Sequence, residues 1–154
     1  MSAMKQIVYR GGLATFSIPA HWKEAYGEEG GGEFFEDGPD TPTLRLNVIT
    51  MKGPGSTQEK AFETLKKRHE RVEVRADGSA MARYLKRVDE DGMPLLIIYW
   101  EIAQAVPPEH FRLFIFNLTI LESQEEDPEV LKTMQLINNA VRAAQLASEL
   151  GNVG

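Results

Sequence analysis

Residues 27–38, GEEGGGEFFEDG, crowd glycines and carboxylates around the pair Phe34-Phe35, and no other stretch of the chain looks more like a site. Three readings suit such a composition. A phosphate loop needs inward-pointing amides at a helix N-terminus, often with a lysine; here both flanks read as strand and the side chains are acidic. A calcium loop needs oxygen ligands at fixed odd offsets, and Glu36, Asp37 and Asp40, with Gly38 and Pro39 between them, do not follow that pattern. The favoured reading is a mobile, solvated hairpin loop from Glu28 to Gly32, glycine-rich because a tight reversal needs positive φ. Its tip is then expected to tolerate replacement. One of Phe34 and Phe35 must leave the core face, because adjacent strand residues point to opposite sides.

The remaining reactive residues form no constellation. His21, His69 and His110 stand at spacings that place no two on one helix or strand face, so no metal site and no catalytic histidine is implied. The serines lack a G-x-S-x-G context. There is no cysteine, which removes thiol catalysis, disulfides and thiolate metal sites together. Lys66-Lys67-Arg68 with Arg71 is a basic cluster diluted by Glu63 and Glu70, and reads as a solvated helix face. Trp100, inside LLIIYWEI, reads as core, with Glu101 pointing the other way towards solvent or a cleft. No cofactor is implied. The residues singled out for partner contact are Trp22, Phe34 and Phe35, on the enrichment of large aromatics at interfaces.

The elements that must position these residues follow from periodicity. Two-residue alternation marks strands at Gln6–Tyr9, Leu13–Ile18, Glu33–Glu36 and Thr43–Thr50, the last with Leu44, Leu46 and Val48 inward. Ser56-Thr57-Gln58-Glu59 has the form of a capping box and opens a helix to about residue 71, with Phe62, Leu65 and His69 on one face. Strands follow at Ala80–Val88, Leu95 to about Ala103 and Phe111–Glu122, the first two joined through an Asp91-Gly92 hairpin turn. The later two are nearly continuous in apolar residues, as in strands covered on both sides. Asp127-Pro128 starts a helix expected to run to Leu150, with Gly151 as its stop. The sum is one α+β domain over residues 1–154: an antiparallel sheet of about six or seven strands with two main helices, at about 56–71 and 127–150.

The net charge of −6 and pI near 5.1 argue against nucleic-acid and membrane partners. The longest apolar run, Leu95–Trp100, is far short of a membrane helix, and the opening MSAMKQIVYRGG has no secretory signal, so a cytoplasmic location is expected.

The stretch Phe16-Ser17-Ile18-Pro19-Ala20-His21-Trp22, followed by the order of strands and helices above, resembles the Mog1/PsbP-like group over nearly the whole chain. The resemblance implies a mostly non-catalytic role: that group includes a regulator of a small nuclear GTPase, accessory subunits of photosystem II, and bacterial chaperones for secretion effectors. Of its contact residues, only Pro19 and Trp22 can be placed here. The resulting expectation is a non-catalytic binding or accessory protein, adaptor or chaperone-like, with a protein partner and with homo-oligomerisation left open. The alternative is an enzyme or small-ligand carrier with an apolar pocket, which a deep pocket holding His21 or Glu101 would favour.

Overall fold

The computed structural model describes residues 3–28 and 30–149. Glu29 of the glycine-rich stretch, and Leu150 and Gly151 at the expected end of the last helix, lie outside the described residues. β1 (Met4–Tyr9) and β2 (Ala14–Pro19) form a hairpin around a 3-10 turn, Arg10–Gly12, pairing Met4 with Pro19 and Tyr9 with Ala14. β3 (Lys23–Tyr26) and β4 (Gly32–Phe35) form a second hairpin, and β5 (Thr43–Lys52) pairs along β4.

α1 spans Gln58–Lys66. Its cap is Thr57, whose hydroxyl accepts from the Lys60 amide, while the Ser56 hydroxyl donates instead to the carbonyl of His110. The expected Ser56 cap is therefore displaced by one residue, and the helix ends five residues before the expected Arg71. β6 (Glu73–Val74), β7 (Ala80–Glu90), β8 (Met93–Val106) and β9 (His110–Leu121) follow. Asp91 and Gly92 both adopt positive φ at the β7–β8 reversal, the conformation the sequence expectation required. α2 (Pro128–Arg142) is capped by Asp127, which accepts from the amides of Glu129 and Val130.

α2 stops well short of Leu150. Arg75 donates to the carbonyls of Arg142 and Ala144, and β10 (Gln145–Leu146) then pairs with β2. The two-residue β10 completes a three-stranded sheet in the order β1-β2-β10. The main sheet has seven strands, β3-β4-β5-β9-β8-β7-β6, all antiparallel where they pair. β3 and β6 belong to it unexpectedly, and β1 and β2 stand apart from it.

Two cores result. On the inner face of the main sheet, Leu44, Leu46, Ile98, Trp100, Phe116 and Leu118 pack against the small sheet and against Ile137 and Val141 of α2. Phe16 of β2 meets Phe34 and Phe116 edge to face, each with centroids 5.3 Å apart, and this aromatic trio joins the two sheets. On the outer face Ala61 and Leu65 of α1 rest on Ala80, Ala82, Ala103 and Leu113. Three alanines on the sheet bring the helix close.

Candidate functional site

The outer face of the main sheet is roofed only in part. α1 covers the end built by Ala80, Ala82, Ala103 and Leu113, and beyond that end cross-strand register sets the side chains in rows. One row runs Tyr84-Tyr99-Asn117-Arg45-Glu33, the next Lys86-Ile97-Thr119-Thr43-Phe35. Leu95, Ile97, Tyr99, Leu121 and Phe35 are only partly buried there and Val88 is exposed, while Ile49 and Met51, level with Leu113 and Phe111, are exposed beside α1. β8 and β9 are thus covered on both sides only beneath α1, whereas their nearly continuous apolar sequence implied cover throughout.

The turn after α1 brings the chemistry-bearing side chains together. Glu101, 7% exposed, accepts at Oε1 from the Arg68 guanidinium at 2.8 Å, and His69 Nε2 lies 3.4 Å from the same oxygen. The Tyr84 hydroxyl donates to Oε2. The His69, Tyr84 and Tyr99 rings stack in sequence at 4.8 Å and 4.9 Å, and the Lys86 ammonium lies 5.4 Å from the Tyr99 ring centre. Burial first, then the bond to the Glu101 carboxylate, pushes the Tyr84 phenol above its ordinary value, so it stays a donor. Both carboxylate oxygens are therefore engaged, and the cluster ties the end of α1 to the sheet. Beside it an apolar groove of about 310 Å³ separates α1 from β5, with Ala103 and Leu113 as floor and Met51 at the rim.

The sequence-predicted residues are dispersed. Trp22 is 3% exposed and Phe34 0%, both in the inner core. In this state neither ring has surface to offer a partner, and of the three singled out only Phe35 reaches the outer face, partly buried. Trp22 caps the inner core because the chain turns back after Pro19, with the Trp22 amide donating to the Pro19 carbonyl at 3.1 Å. A cavity of about 510 Å³ opens beside Trp22 and holds His21, but it is a broad groove, with His21 at its mouth 3.1 Å from Glu36.

GEEGGGEFFEDG contains the turn between β3 and β4 and β4 itself, and three of its carboxylates have side-chain partners: Glu33 with Arg45, Asp37 with Lys23, and Glu36 with the His21 imidazole. The expectation of a replaceable tip does not hold for its last glycines. Gly31 has φ +83 and its amide donates to the Tyr9 hydroxyl at 2.8 Å. A Cβ on Gly32 would lie 2.8 Å from the buried Phe34 ring.

Arg68, read as solvated, turns inward to Glu101; Tyr84, Tyr99 and Lys86 were not singled out at all. Parity in LLIIYWEI did place Glu101 opposite the core. Its partners lie 33 and 17 positions away, so only the fold brings them together.

A seven-stranded antiparallel sheet with a small sheet and α2 on one face and α1 on part of the other is a Mog1-like α+β fold. Among solved structures the chain is similar to a protein of Bacteroides thetaiotaomicron VPI-5482, with TM-score 0.67 and 15% identity over 96% of this chain and 49% of that one. It thus spans about half the length of that neighbour. It is similar also to the Ran-binding protein Mog1p of Saccharomyces cerevisiae, with TM-score 0.55 and 11% identity over 95% and 96% of the two chains. A third neighbour is LpqN, involved in cell envelope biogenesis of Mycobacterium tuberculosis, with TM-score 0.58 and 10% identity over 93% and 90%. At such identities the likeness is one of fold. No family model and no curated protein matches the sequence. Among the described residues no helix is long and apolar enough to cross a membrane.

Proposed function

We propose that this is a non-catalytic binding or accessory protein, cytoplasmic, which presents the unroofed outer face of its main sheet to another protein. The observation that carries the reading is the pair of outer-face rows from Tyr84 to Glu33 and from Lys86 to Phe35, where Ile97, Tyr99 and Phe35 stand partly exposed beyond the reach of α1. Tyr99 and Ile97 on one side and Phe35 on the other flank the polar strip of Asn117, Arg45, Thr119 and Thr43, a mixed apolar and polar surface such as non-obligate interfaces use. A negative net charge favours a protein over nucleic acid or an anionic membrane. That Mog1p is Ran-binding agrees with a binding role for the fold without naming a partner for this chain.

The enzyme reading is weaker because the best candidate acid, Glu101, is held by Arg68 and Tyr84 rather than poised towards an open cavity. A photo-crosslinker placed at Ile97, with one at Lys132 on α2 as control, tests the reading in extract of the native host. A discrete protein adduct from Ile97 and none from Lys132 is the expected result. Equal labelling from both positions, or none from Ile97, contradicts it.

A further inference from the structure

β7 has an open edge. β6 pairs with it only at Ala80 and Met81, and among the described residues no other strand lies on that side. The Arg75 amide donates to the Ser79 carbonyl across this edge at 2.8 Å, which fixes the alternation: backbone groups of odd-numbered residues face away from β8. The N–H and C=O groups of Arg83, Leu85 and Arg87 are therefore free to pair with an added strand. Edges of this length are normally blunted, and here the blunting is by cations.

Two further features lie along the same edge. On the inner side a groove of about 320 Å³ runs between Arg83 and α2, past Leu131 and Met134. Leu85, 49% exposed, and Leu131, 46% exposed, both stand on this side of the sheet. On the outer side the edge carries Tyr84, Lys86 and Val88. Arg83 rests 5.9 Å from the Trp100 ring centre and Lys86 5.4 Å from that of Tyr99, and among the described residues neither makes an ion pair. In a chain of net charge −6, residues 83–87 are a local basic run, in which Arg87 is already paired with Glu122 and Glu125 and Arg83 and Lys86 are the cations left to a partner.

We infer that this edge accepts an extended acidic segment of a partner protein as an added strand, its apolar side chains entering the inner groove beside Arg83 and Leu131 and its carboxylates, on the opposite face of the strand, meeting Lys86 on the outer side. Main-chain bonds supply the affinity and the alternate side chains the selectivity. A second copy of this chain fits poorly. Antiparallel self-pairing centred on Leu85 sets Arg83 against Arg87 of the other copy twice, and registers centred on Lys86 or Arg87 set those cations against themselves. The inference rests on the binding-protein reading above and adds to it how the partner reaches the outer face, since Tyr84 and Lys86 belong to both surfaces.

The test uses the full chain and a synthetic peptide of about eight residues alternating glutamate and valine, with a lysine–valine peptide as counterpart. The acidic peptide is expected to slow amide exchange at Arg83, Leu85 and Arg87 about tenfold, and the basic peptide to leave it unchanged. Leu85→Pro removes one edge donor without touching the β7–β8 ladder and should abolish the protection. Should that variant fail to fold, Arg83→Glu combined with Lys86→Glu takes its place and should reverse the preference towards the basic peptide. Absent protection at these amides, or equal protection by both peptides, overturns the edge inference. Crosslinking from Ile97 would survive that outcome, so failure of the edge and failure of the binding face are read separately.

Discussion

Removing the Tyr84 hydroxyl and the Glu101 carboxylate, singly and together, measures whether the buried cluster is structural. Tyr84→Phe deletes one hydrogen bond to a charged acceptor, an interaction of about 1.5–3 kcal/mol when well shielded. Tyr84 is only partly buried, so about 1–2 kcal/mol is expected. Glu101→Ala loses the same bond and also the Arg68 contact. The Arg68 side chain is 52% exposed and regains water, which limits its share to about 1 kcal/mol and sets the total near 2–3 kcal/mol. The double variant should cost less than the sum, with a coupling of about 1–2 kcal/mol. Urea denaturation of the four proteins reads all three numbers. A coupling below about 0.3 kcal/mol would mean that the Tyr84–Glu101 bond does not exist in solution. A Glu101→Ala protein more stable than the parent would mark Glu101 as strained for function and refute its role as an anchor.

Phe16→Ala removes the ring that meets both Phe34 and Phe116 and should cost about 3–5 kcal/mol in equilibrium denaturation; a loss under about 1 kcal/mol would mean the two sheets do not meet there. Gly31→Ala forces a side chain into positive φ beside Asn47 and should cost about 1–2 kcal/mol, where a replaceable loop tip would show no change. Arg75→Ala strips the carbonyls of Arg142 and Ala144 of their donor and should lower stability by about 2–4 kcal/mol, with exchange fastest at the end of α2. The Tyr84 phenol is raised from about 10, so its contribution to stability is complete below that pH and is lost as pH rises above it; alkaline denaturation should be shallower in Tyr84→Phe, and identical curves would contradict the shift.

Legibility in the sequence followed the strength of local pattern. β5 alternates and α2 opens on Asp127-Pro128, so both starts were readable. β3, KEAY, is exposed at every position and offers no alternation to read. β6 and β10 have two residues each and exist because β7 and β2 offer edges, a tertiary fact. The end of α2 was misplaced for the same reason: Ala144 keeps the apolar period, but Arg75, 69 positions earlier, terminates the helix. At the site, the outward direction of Glu101 followed from strand parity alone. Arg68 could not be told from its solvated neighbours Lys66 and Lys67, because its distinction is a carboxylate that only the fold supplies.

The central claim is that the unroofed outer face binds a protein, and it is tested most directly by one affinity. With the protein captured through Ile97 in hand, the dissociation constant is measured for the parent chain and for Ile97→Glu, whose side chain lies outside both cores and faces Lys86 across the ladder, so that the fold is retained. The account predicts at least about tenfold weaker binding, the effect of losing a central interface contact. Unchanged affinity, with the variant folded, would contradict it.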